Sequence, residues 1–353
     1  MLSLACCGCR LWLFLGIMSL NVASSVMAAD RQKLKGHVPK VVSKLTSVGS
    51  PAQEKRLNLA IGLPLRNQPD LNLLLVDLYN PASPSYRQYL QPQEFAEKFG
   101  ATAEDYQAVV DYAKQHGLNV TATHTNRLIV SVEGAVRDIE KALKVKMRTY
   151  QHPTEARTFY SADSEPSLDL GVAVLHISGL DNLSVPRPHL KLKAANRNAN
   201  ANATTPSGTG PSGAYAAGDF RAAYVPGTTL TGAGQSVGLL QFDGYYASDI
   251  AAYRTQFGLP NIPLVNVPVD GGVTTPGSGN SEVCLDIEMV MSMAPGVSTI
   301  YVYEAPNPSP WVDLLIKMAN DNLAKQLSCS WGGGSANPSA ETIFQQMAAQ
   351  GQS

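Results

Sequence analysis

Residues 281–288 read Ser-Glu-Val-Cys-Leu-Asp-Ile-Glu, and two of the acids, Glu282 and Asp286, are four apart. On a helix that spacing puts both side chains on one face, one turn from each other. Exposed, such a pair costs a helix about 0.2–0.5 kcal/mol. Buried, the two carboxyls push their titrations apart, so that one stays protonated and donates a hydrogen bond to the other. A general base and the group that orients it need that arrangement. The same spacing also fits an ordinary acid-rich helix start favoured by the helix dipole.

Carboxylates matter here because histidines are elsewhere. All six (His37, His116, His124, His152, His176 and His189) precede the C-terminal part of the chain. A Ser-His-Asp triad or a histidine-based zinc site within that part is therefore excluded. Acid–base chemistry there rests on carboxylates, which suit acidic pH better than neutral pH.

A second feature is Ser-Cys-Ser-Trp-Gly-Gly-Gly at 328–334, where an apolar strand runs into three glycines. The carboxyl ends of parallel strands face the ligand crevice, and glycines admit a substrate backbone. Ser330, Trp331 and Gly332 are thus candidates for a cleft wall; a tight turn after a buried strand is the alternative. Two lookalikes fail their context. Gly232-Ala233-Gly234 precedes its strand instead of following it, unlike a dinucleotide loop. Ser207-Gly208-Thr209 resembles a serine-nucleophile turn but has no strand or helix to hold it.

These residues must be positioned by two differently built units. Residues 57–63 alternate as a half-buried strand, and 71–79 carry a helical apolar stripe. Residues 104–116 read as a second helix, stopped at Gly117. Residues 118–123 and 127–132 alternate around a turn at 124–126, 135–143 is another helix, and 146–151 a strand. This order predicts an α+β unit with an antiparallel sheet. From 186 to 213 the chain is rich in Asn, Ala, Thr, Ser, Gly and Pro, which predicts a flexible linker open to proteolysis. Beyond it, strands at 236–242, 298–303 and 326–331 alternate with helices at 248–257, 282–293, 311–323 and 340–349, which predicts a parallel sheet covered on both faces. The alternation calls for another strand at about Ser353.

The bulk composition is that of a globular protein, with 44% hydrophobic and 16% charged residues and a formal net charge of −1 in 353 residues. From residue 210 onward there are eleven acidic residues against four basic ones. The preceding part is correspondingly cationic, which suggests that the two halves face each other through charges that weaken on acidification. Arg10, the apolar run 11–22 and the small residues before Ala28 read as a signal peptide over 1–28, so the protein is expected to be secreted or periplasmic. No segment reaches the ~20 apolar residues of a membrane span, and nothing points to a nucleic acid. Cys6, Cys7 and Cys9 leave with that peptide, and Cys284 and Cys329 are expected to remain as buried free thiols.

Several separated motifs, in order, resemble the sedolisin family of serine-carboxyl peptidases in its kumamolisin-like form. Residues 83–100 (SPSYRQYLQPQEFAEKFG), 116–120, 126–134 and 177–180 resemble its activation propeptide. Residues 219–227, 232–260, the Glu282/Asp286 pair, 293–305 and the 328–334 run resemble the start of its catalytic domain. The resemblance implies a ferredoxin-like α+β propeptide over 38–185, a linker over 186–213 that contains the processing site, and an incomplete subtilisin-like α/β domain over 214–353.

It also implies a Ser-Glu-Asp triad acting on polypeptides at acidic pH, with the propeptide held against the catalytic domain. Glu282 matches the general base, Asp286 the residue that orients it, and Ser330, Trp331 and Gly332 the strand lining the substrate cleft. The nucleophilic serine, the oxyanion aspartate and the calcium loop have no match in this chain, so no metal or other cofactor is expected in it and the chain alone is expected to be inactive. Some members carry an acid where Gln241 stands. A different class of function, a secreted propeptide-like protein that inhibits or helps fold a separate peptidase, is the alternative.

Overall fold

The structure, a computed structural model, describes residues 31–188, 208–333 and 337–353. The expected signal peptide, the linker residues 189–207 and Gly334 lie outside the described residues.

In the first unit, the alternating strand Arg56–Gly62 is the second-from-edge member of a four-stranded antiparallel sheet. The order is Asn119–Thr123, Ile129–Ala135, Arg56–Gly62 and His176–Ser178. Alternation sends Leu57, Leu59 and Ile61 to one face, where they pack with Val109, Val130, Val132 and Ile139 under the helices Ala103–Gln115 and Val136–Leu143. Thr102 caps the first of these helices by accepting the Asp105 N–H at 3.0 Å. The strand expected at 146–151 forms as Met147–Gln151 but joins a separate sheet with Ser47–Gly49 and Thr158–Ala162. His176–Ser178 takes the fourth place in the main sheet instead.

In the second unit, four parallel strands run in the order Leu264–Pro268, Thr299–Glu304, Ser236–Gln241 and Gln326–Cys329. Leu239, Ile300 and Val302 face Ile250 of the helix Ala247–Phe257 and Val283, Ile287 and Met291 of the helix Asn280–Met293. Leu240 and Tyr303 face the opposite side, toward the helices Trp311–Asp321 and Pro338–Ala349. The expected strand at 326–331 breaks after Cys329, and Trp331–Gly332 pairs elsewhere. The backbone of Ser353 bonds to Lys325 and Leu327 on the free side of that strand, at 2.9 and 2.8 Å. Cys284 is a buried free thiol as expected, whereas Cys329 is exposed because its strand lies at the sheet edge.

The contact between the units overturns the expectation of charge pairing. Ala60, Leu71, Leu78, Phe95, Phe99, Leu128 and Ile129 of the first unit share one buried apolar cluster with Val312, Ile316, Ile343 and Met347 of the second. Among the described residues, the ion pairs all join residues on the same side of this contact. The polar links across it are neutral or singly charged, such as Asn126 Nδ2 to Gln346 Oε1 at 2.7 Å and Ser131 Oγ to Asp313 Oδ1 at 2.5 Å. Gly62 is required by the close approach: a Cβ there would lie 2.1 Å from Ser339 Oγ, on the last helix. Burial of apolar surface, and not Coulomb attraction, therefore holds the units together.

Candidate active site

Parallel pairing brings the carboxyl ends of three strands together, with Gln241 beside Glu304 and Leu240 beside Cys329. The helix Asn280–Met293 crosses behind them and carries Glu282 and Asp286 on one face. Glu282 is 3% exposed, and Asp286 is half-buried. The pair therefore does not point into open solvent.

Asp286 is the hub. Its Oδ1 accepts from Ser330 Oγ at 2.6 Å, and its Oδ2 accepts from Gln241 Nε2 at 2.7 Å. Burial raises the Asp286 carboxyl above its ordinary value, opposed by the hydrogen bonds from Ser330 and Gln241. Gln241 is fully buried, and its Oε1 accepts the indole N–H of Trp331 at 2.7 Å. Since an indole nitrogen only donates, this bond fixes which end of the Gln241 amide faces Asp286. Trp331 also meets Phe242 edge to face, with centroids 5.8 Å apart.

The structure thus brings Asp286, Ser330 and Trp331 into one network and places the buried Glu282 one helical turn from Asp286. Gln241, noted in the sequence only as a place where some relatives carry an acid, proves to be the link between Asp286 and Trp331, and Asp243 is a site residue that the sequence did not single out. The Asp243 carboxylate accepts the backbone N–H groups of Gly277 and Gly279 at 2.7 Å each, bracing the turn that opens the helix. The available signal was Gly277 and Gly279 themselves. A Cβ on Gly279 would lie 2.6 Å from the Trp331 ring and 3.0 Å from Asp243.

Gly332 and Trp331 pair antiparallel with Arg187 and Pro188. The start of the segment expected to be a loose linker is therefore an added strand on the expected substrate edge. Asn307 Nδ2 donates to the Pro186 carbonyl at 2.8 Å, and Arg187 pairs with Glu155 at 2.5 Å, which steadies it on both sides. Among the described residues, no group of three or more His, Cys, Asp or Glu side chains could hold a metal ion. No described helix is long and apolar enough to cross a membrane.

The chain is similar in sequence to known proteins. Residues 43–183 match the family described as Pro-kumamolisin, activation domain. The match extends into the second unit: kumamolisin of Bacillus sp. (strain MN-32) is 28% identical over 311 residues, which is 86% of this chain and 55% of that protein. The chain is homologous to kumamolisin, sedolisin and xanthomonalisin. Sedolisin of Pseudomonas sp. (strain 101) is 24% identical over 84% of this chain and 52% of its own length. For xanthomonalisin of Xanthomonas sp. (strain T-22) the figures are 26%, 84% and 38%. The chain spans about half the length of the first two relatives. A solved Pseudomonas sedolisin, complexed with two molecules of pseudo-iodotyrostatin, aligns at 20% identity and a TM-score of 0.31, over 36% of this chain and 39% of that one.

Proposed function

We propose that this chain is the propeptide and leading catalytic part of a secreted serine-carboxyl endopeptidase precursor that hydrolyses polypeptides at acidic pH through a Ser-Glu-Asp triad. In this reading the first unit is a ferredoxin-like inhibitor and the second the beginning of a subtilisin-like sheet. Glu282 takes the proton of the attacking serine and returns it to the leaving amine, while Asp286 orients Glu282. Ser330, Trp331 and Gly332 receive the substrate backbone as an added strand.

The observation that carries this reading is the pairing of Arg187–Pro188 with Trp331–Gly332 beside the Asp286 network. A segment of the chain itself lies extended on the edge where a substrate would lie. The alternative, a free-standing inhibitor of another peptidase, is disfavoured because the apolar face around Leu71, Phe95 and Leu128 is already covered by the chain's own helices.

The serine and the oxyanion aspartate have no match here, so the chain by itself is expected to be inactive. Reading the frame downstream of codon 353 tests the proposal. A continuation encoding a Gly-Asp turn and then a Gly-Thr-Ser turn supports the peptidase, and a genuine stop favours the binding protein. Acid peptidase activity in the purified chain would refute the assignment of a missing nucleophile.

A further inference from the structure

His37 and His176 stack in the first unit with ring centroids 4.3 Å apart and planes at 21°. The His37 side chain is 1% exposed. Its Nε2 accepts the Ile177 N–H at 3.0 Å, which places the ring proton on Nδ1 and requires a neutral imidazole. Nδ1 is buried outside hydrogen-bonding geometry, 3.5 Å from Glu165 Oε2. Glu165 is itself occupied by the N–H groups of Gly36 and His37.

The strand that His37 holds also meets the second unit. Ile177 lies in the edge strand His176–Ser178, whose other side bonds to Arg56–Gly62. Ser178 Oγ accepts from Asn337 Nδ2 at 2.8 Å, and Asn337 caps the helix Pro338–Ala349 through the Ser339 N–H at 2.9 Å. Opposite His176 in the sheet is Gly62, against which Ser339 packs.

We propose that His37 and His176 are an acid-sensitive pin: protonation abolishes the His37–Ile177 hydrogen bond, frees the edge strand His176–Ser178 and loosens the first unit's grip on the helix Pro338–Ala349. Once Nε2 carries a proton it faces the Ile177 N–H donor to donor, and the new charge sits on the stacked His176 ring. A role for the pin in activation rests on the reading of the first unit as an inhibitory propeptide; the pin itself does not.

The charges around the pair set its direction. Glu165 and the Lys35 carbonyl favour a protonated His37, while His37 opposes and Glu165 favours charge on His176. Farther along the same cleft, Arg56 is paired with Glu133, and Lys55 and Asp181 line the wall. Burial outweighs Glu165, so His37 lies below its ordinary value and His176 is pushed down to about 4. With native values below the unfolded value of roughly 6.5, the stabilisation by the neutral pair is complete above that pH and is lost as pH falls toward 4.

Hydrogen exchange of the full chain between about pH 7 and pH 4.5, corrected for intrinsic rates, tests the pin. Protection of peptides spanning 174–180 should fall at least about tenfold in the wild type, as follows when the unfolded imidazoles take up protons that the folded pair resists. It should stay nearly constant in the double variant His37→Gln/His176→Gln, in which an amide oxygen replaces the titrating acceptor. Equal loss in both proteins, or no loss in either, overturns the proposal. Should the variant not fold, imidazole NMR titration of the wild type decides: both values below that of a free imidazole support the pin, and either value at or above it overturns the pin. Neither measurement needs peptidase activity, so failure of the peptidase reading would show separately.

Discussion

The indole N–H of Trp331 donates to Gln241 Oε1 at 2.7 Å, and the other end of the same amide donates to Asp286. A wall of the cleft and the orienting carboxylate are thus coupled through one buried, uncharged side chain. Gln241→Leu leaves a buried donor and acceptor without partners and should destabilise the chain by about 1–3 kcal/mol in urea denaturation. Gln241→Glu can stand in only while protonated, since it must still donate to Asp286. Its folded-state pKa is therefore raised, and its contribution is present below the unfolded value and lost as pH rises. The variant should match wild type near pH 4 and fall behind it by neutral pH.

Gly279 has an ordinary backbone (φ −87°), so Gly279→Ala tests side-chain space alone. The added methyl meets the Trp331 ring at 2.6 Å. The overpacking should cost about 1–3 kcal/mol and alter Trp331 emission in a Trp311→Phe background. Unchanged emission would mean that the helix start does not hold the indole.

Phe95 is 0% exposed in the cluster shared by both units. Phe95→Ala should cost about 3–5 kcal/mol. The fluorescence of Trp311 and Trp331, both in the second unit, should shift with it to the same urea midpoint as the far-ultraviolet circular dichroism. Separate midpoints would show that the units unfold independently.

Asp313 is fully buried at the contact, with Oδ1 bonded to Ser131 and Oδ2 without a hydrogen-bond partner. Burial, then the neighbouring Asp270, raises its carboxyl far above the ordinary range, and burial pushes Asp270 up to about 6. Both native values exceed the unfolded ones, so the stabilisation is present under acid and is lost as pH rises through about 6. Asp313→Asn should therefore leave stability nearly unchanged at pH 4 and raise it at pH 8, as thermal denaturation at the two pH values would show. This contact favours acid, opposite to the pin at His37.

What was legible in the sequence is what depends on local period. The i, i+4 spacing placed Glu282 and Asp286 on one face, alternation found the strand Arg56–Gly62, and a short apolar run found the strand Ser236–Gln241. The strand Leu264–Pro268 was hidden because Pro263 and Pro268 flank a polar Asn266, a pattern that a sheet edge tolerates. The helix Pro92–Phe99 had a readable start, with proline at its first position and Glu94 accepting the Gln91 N–H, yet it is too short for a clear stripe. The partners of Gln241, and the role of Asp243 altogether, were not legible because they are set by sheet register and a distant turn. The apolar contact between units was missed for a related reason. Leu71 and Phe95 show that a face will be buried, while net charge per half says nothing about what buries it.

The common cluster under Leu71, Phe95 and Ile343 means that a nick in the connecting peptide would leave two fragments clasped as a noncovalent dimer. Scission by itself would change the covalent chain and little else. Departure of the N-terminal fragment would still require wetting a greasy surface, so cutting and release are distinct events with separate barriers.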